Sequence, residues 1–140
     1  MKNLADMTIG LSLLLSVVLL GAAGCSKTPK PDSKVLAGTW SGPDAAGTAS
    51  LVFTGTNLEF HGADAREWYK ASFVLREDTN PKQLVATITA CPDPAYVGKT
   101  AYAIYQVQDG VFTIAAHEPG NPAVPASFDE QNVRKISFKQ

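Results

Sequence analysis

The chain has no surplus of basic charge: 12 lysines and arginines stand against 13 aspartates and glutamates, a net charge of −1 at neutral pH. Binding to nucleic acid is driven largely by displacing counterions from phosphates, which needs a dense basic footprint. That class of partner is excluded. No apolar run reaches the roughly 20 residues of a membrane-crossing helix; the run "IGLSLLLSVVLL" covers residues 9–20 only. Residues 35–140 carry no heptads, no internal repeat and no sustained helical period, so neither a coiled coil nor a helical bundle is expected. "GPDAAGT" and "EPGNPAVP" are rich in glycine and proline. Neither matches a phosphate-cradling loop, and no helix follows to lend its dipole. No nucleophile elbow supports a Ser-His-Asp arrangement. No catalytic residue and no cofactor is expected.

Reactive side chains are equally sparse. There are two cysteines, Cys25 and Cys91, and two histidines, His61 and His117. Cys91 lies in "TACPDPAY" with no basic residue within several positions to lower its pKa, so a buried, inert thiol is expected. The histidines, even with Glu59 or Glu118, lack the tight ligand spacing of a zinc site. Both are expected in solvent, with no metal. Asp93, Glu118, Asp129 and Glu130 fall in or beside loops and read as solvated charges. At 140 residues the chain has room for one domain at most.

What is present begins at the N-terminus. Lys2 and the α-amine precede the short apolar run, and small residues follow in "GAAGC", ending at Cys25. This pattern resembles a bacterial lipoprotein signal. The resemblance implies removal of residues 1–24 and lipidation of Cys25, with palmitate among the acyl chains. Ser26 resembles the residue of lipoproteins sent to the outer membrane, facing the periplasm. Two or three acyl chains make such an anchor durable, each buried methylene contributing about 0.8 kcal/mol. Residues 25–34, with two prolines and no apolar anchor in "SKTPKPDSK", read as a lipidated tether that holds the domain off the membrane.

From Val35 onward the sequence breaks into short alternating segments punctuated by Gly, Pro, Asn and Asp, which is the mark of an all-β meander. Eight strands are predicted, near 35–41, 48–54, 57–61, 67–76, 83–89, 100–107, 111–117 and 132–139. In "YQVQDGVFTI", Asp109-Gly110 fits the two positive-φ positions of a type I′ turn. That turn sets Val107 opposite Phe112, Tyr105 opposite Ile114 and Ala103 opposite Ala116, on the face expected to point inward. The same parity selects Leu51 and Phe53; Leu58 and Phe60; Tyr69, Phe73 and Leu75; and Leu84, Ala86 and Ile88. Arg134 shares its face with Ile136 and Phe138, as the odd residue out. Trp68, Tyr96 and Tyr102 fall off the apolar face.

Gly38-Thr39-Trp40 on the first strand, seven further strands and Arg134 on the last resemble the lipocalin pattern. The whole of 35–140 is similar to the small lipocalin-like domains of bacterial lipoproteins, in "LAGTW", "AYAIYQVQDGVFTIAA" and "VPASFDEQNVRKISF". The resemblance implies an eight-stranded antiparallel up-and-down barrel, with Trp40 closing the floor and Arg134 stacked across its indole. A barrel of that size is either filled by its own side chains or holds one small ligand. In the second case Tyr69, Phe73, Tyr105 and Phe112 are the expected lining. The expected function is a non-catalytic binding domain for a small apolar molecule or lipid. The alternative is a solid-core structural module, or one that binds an envelope protein through Trp68, Tyr96 and the 117–130 loop.

Overall fold

The structure is a computed structural model that describes residues 24–140. The expected signal peptide, 1–24, lies outside the described residues except for Gly24. Alternating apolar positions, cut every few residues by turn chemistry, fold into eight antiparallel strands: β1 Gly38–Asp44, β2 Gly47–Thr54, β3 Asn57–His61, β4 Trp68–Arg76, β5 Lys82–Ala90, β6 Thr100–Gln108, β7 Val111–Ala116 and β8 Arg134–Lys139. Each strand pairs with its sequence neighbours, and β8 returns to β1, giving one closed barrel. The largest displacement from the predicted segments is at β1, which starts at Gly38 rather than Val35.

The β6–β7 hairpin has the predicted register: Val107 faces Phe112, Tyr105 faces Ile114 and Ala103 faces Ala116. Asp109 and Gly110 take φ of 53° and 75°, the paired positive values a type I′ turn needs. Tyr105 is buried and Gln106 exposed, so the inward face is the predicted one. Closure of the barrel depends on Gly42. A Cβ there would lie 2.2 Å from the Ser137 carbonyl oxygen, so only glycine lets the β8 backbone come that near β1.

One end of the barrel is closed, and the plug comes from the end of the segment predicted to be tether together with the start of the predicted first strand. Asp32–Leu36 forms a short helix, α1. Five residues are too few for an isolated helix in water, so its contacts hold it. Asp32 and Leu36, one turn apart, are its two buried residues. The Asp32 carboxylate accepts hydrogen bonds from Tyr105 Oη at 2.8 Å and Lys82 Nζ at 2.7 Å. Its backbone N–H donates to Glu77 Oε1 at 2.7 Å. Trp40 Nε1 donates to the Leu36 carbonyl at 2.8 Å. The folded unit therefore begins at Asp32, not Val35. Composition hid this because Asp32, polar in sequence, finds its side-chain partners on distant strands and its backbone partner in the turn after β4.

Under α1 the interior is packed with aromatic rings. Phe112, with no exposed surface, stands at the centre, 5.7 Å from Trp40, 5.7 Å from Phe53, 5.9 Å from Tyr105 and 6.2 Å from Phe138. Phe73 lies edge-on to Phe53 at 5.2 Å. Outside the barrel, Ile104 and Ala115 sit on the outward face and yet are fully buried. The connection 117–133 covers this side: its Asp129 is held by Lys135, the outward residue opposite Ala115, and its Pro125 is buried.

Candidate functional site: an open barrel end

The strand ends opposite α1 do not meet in a core. There β2, β4, β5, β6 and β7 present small or aliphatic side chains inward: Leu51, Ala71, Ala86, Ala101, Ala103 and Ala116 among others. Alanines where the closed half carries phenylalanines leave a cavity of about 390 Å³, within the range of small-molecule sites. Phe138 divides the two halves, stacking on Phe112 on one side and lining the cavity on the other.

Polar and aromatic residues ring the mouth. Arg134, the first residue of β8, donates from Nη1 to Glu67 Oε1 and from Nη2 to Asp44 Oδ2 at 2.7 Å and Glu67 Oε2 at 3.3 Å. Its guanidinium carbon lies 5.1 Å from the centroid of the Phe60 ring. That guanidinium, more than any other group, holds the Asp44 carboxyl below the usual carboxylate range. Phe60 stands 6.3 Å from Tyr69, and Tyr69 is edge-on to Tyr96 at 6.5 Å. Tyr96 comes from a short 3-10 turn, Pro94–Tyr96, whose start is capped by the Asp93 side chain. Its hydroxyl donates to Glu118, which pushes its pKa up to about 12. Lys99 Nζ sits 5.6 Å from the Tyr96 ring centroid. Beside Glu118, His117 is buried at 7% exposure and lines the cavity. Its Nε2 is 3.1 Å from Glu130 Oε1, an ion-pair separation, but off the hydrogen-bonding direction.

These positions correct several expectations. Trp40 and Arg134 are not a pair. Ser41 lies opposite Lys139 in the β1–β8 seam, which puts Trp40 level with Gln140, a strand's length from Arg134 or about 20 Å. Trp40 is 2% exposed and does close the floor, but its partners there are Leu36 and Phe112. Arg134 does stack on an aromatic face, that of Phe60. The pattern placed both residues on the inward side, and inward parity does not say which end of a strand a residue occupies.

Of the four expected lining residues only Tyr69 reaches the cavity. Phe73, Tyr105 and Phe112 belong to the packed half, because large inward rings fill space rather than surround it. His117 is buried rather than in solvent. No alternation extends past the end of β7 to signal this. His61 is exposed, with Nε2 3.4 Å from Glu59. Cys91 is partly buried, packs against the interior cluster, and donates from Sγ to the Asp93 carbonyl at 2.9 Å. Tyr96, expected off the apolar face and in the alternative partner-binding surface with Trp68 and the 117–130 loop, is brought to the rim; Trp68 and Tyr102 are half-buried on outward positions.

Among the described residues no group of three or more His, Cys, Asp or Glu side chains is placed to hold a metal ion, and no helix is long and apolar enough to cross a membrane. No family model, curated protein or solved structure matches the chain.

Proposed function

We propose that this protein is a lipid-anchored lipoprotein of the bacterial cell envelope, whose lipocalin-like barrel binds a small apolar molecule or lipid and catalyses nothing. The observation that carries the binding reading is the cavity: about 390 Å³, walled mainly by aliphatic side chains and open at one end of a closed barrel. Such a space is costly unless filled, because its lining forgoes the dispersion contacts that a packed interior would supply. The rings around Phe112 pack the interior of the other half of the same barrel, so the open half is not a consequence of strand number.

Support for the anchor comes from the leader and from Cys25, which is exposed ahead of the plug. Membrane attachment through that cysteine is the partner interaction proposed, in the outer membrane and facing the periplasm. Two experiments test the two parts. Labelled palmitate is expected to enter the wild-type chain and not Cys25→Ala; equal labelling of both would end the lipoprotein reading. Native mass spectrometry of the gently purified barrel is expected to show a small apolar molecule bound one to one, released on denaturation. A protein that stays empty and takes up no apolar probe would count against a binding site.

A further inference from the structure

We infer that the ligand carries a cationic alkylammonium head at the mouth of the barrel, rather than a carboxylate or phosphate. This rests on the binding function proposed above and specifies its chemistry. The mouth is anionic. Asp44, Glu67, Glu118 and Glu130 stand at or beside it, and the guanidinium of Arg134 is already shared between Asp44 and Glu67 while lying over Phe60. An acidic head would find no free cation among the cavity-lining residues; Lys99, without an ion pair among the described residues, stands outside that lining against Tyr96. The head would face Glu118, which also has no ion-pair partner among the described residues. His117, buried at the same rim with Nε2 lacking a hydrogen bond, sits 3.1 Å from Glu130 Oε1, so a carboxylate already faces its ring.

The aromatic rings point the same way. Phe60, Tyr69 and Tyr96 form a chain of faces and edges across the rim. The two outer rings each already hold a cation of the protein, Arg134 over Phe60 and Lys99 near Tyr96. The negative ring faces here therefore already attract positive charge. Tyr69, between them, lines the cavity and has no such cation among the described residues. An alkylammonium with its chain among Leu51, Leu84 and Ile88 would bring its head beside the Tyr69 ring and the carboxylate of Glu118. Aromatic rings with a nearby carboxylate are a recurrent way to recognise an ammonium group.

The test uses four probes that share a decyl chain and differ in the head: decyltrimethylammonium, decylamine, decanol and decanoate. Each competes against a fluorescent apolar probe on the folded barrel. The two cations are expected to bind at least about tenfold more tightly than decanoate, roughly the worth of one charge-assisted contact. Glu118→Gln is expected to remove most of that preference, read as the ratio of each cation's affinity to that of decanoate. Glu118 is exposed at the rim, so the substitution should leave the fold intact, and thermal unfolding of the variant checks this. Raised salt should weaken the cations more than decanol. Decanoate binding as well as the cations, or a preference unaltered in Glu118→Gln, overturns the head-group assignment while leaving the cavity reading standing. Binding of none of the four overturns both.

Discussion

At the scale of single residues, Trp40 and Arg134 show how a pattern finds the right side chains and the wrong relation between them. Trp40→Ala is expected to cost about 3–5 kcal/mol, the range for emptying an aromatic core site, since the indole is 2% exposed and hydrogen-bonded to α1. Arg134→Ala is expected to change stability by only about 1 kcal/mol, because its ion pairs are formed by a side chain that is 42% exposed. Thermal unfolding of the double variant should then be additive within about 0.5 kcal/mol. A large non-additive term would place the two residues in contact. Tyr105 gives a pH test. Burial, and then its hydrogen bond to Asp32, push its phenol well above the ordinary tyrosine range. A pKa raised in the folded state stabilises fully below the unfolded value of about 10 and progressively less as pH climbs above it. Unfolding free energy should therefore fall steeply above pH ~10, and less steeply in Tyr105→Phe. Matching alkaline profiles would contradict the assignment.

At the scale of elements, the sequence carried the strands and missed the helix. The strands were readable because period-two alternation and turn residues report the same boundaries independently, as Asp109-Gly110 does for β6 and β7. α1 had no such signal: one buried leucine and one buried aspartate do not make a period, and the partners of Asp32 lie at Glu77, Lys82 and Tyr105. Leu36→Ala tests the plug. With Leu36 wholly buried, denaturant unfolding should show a loss of about 2–5 kcal/mol. A loss of less than about 1 kcal/mol would mean that α1 does not plug the barrel. The β1–β8 seam is a second element-scale test. Gly42→Ala would set a methyl group against a backbone oxygen that cannot swing away. The expected cost is about 3 kcal/mol or more, at the upper end of overpacking effects. A stable Gly42→Ala barrel would mean that β1 and β8 close less tightly than described.

At the scale of the whole molecule, the barrel is two chambers in series: a solid aromatic half under the α1 plug and an open aliphatic half ending in the collar of Phe60, Tyr69, Tyr96, Glu118 and Arg134. Inward parity was legible in the sequence for both halves. Their division was not, because it depends on which inward positions are alanine at a given height around the barrel, and height is set by the stagger of strands far apart in the chain. Ala71, Ala86, Ala103 and Ala116 read singly as weak strand residues; only the register brings them around one space. The most direct test of the account is to fill that space. Ala86 faces inward at 6% exposure and lines the cavity. Binding of a fluorescent apolar probe to the wild-type barrel and to Ala86→Phe, with thermal unfolding of each, is the deciding measurement. The account predicts saturable one-to-one binding to the wild type and loss of at least about tenfold in affinity in the folded variant. Undiminished binding to a folded Ala86→Phe barrel would contradict it.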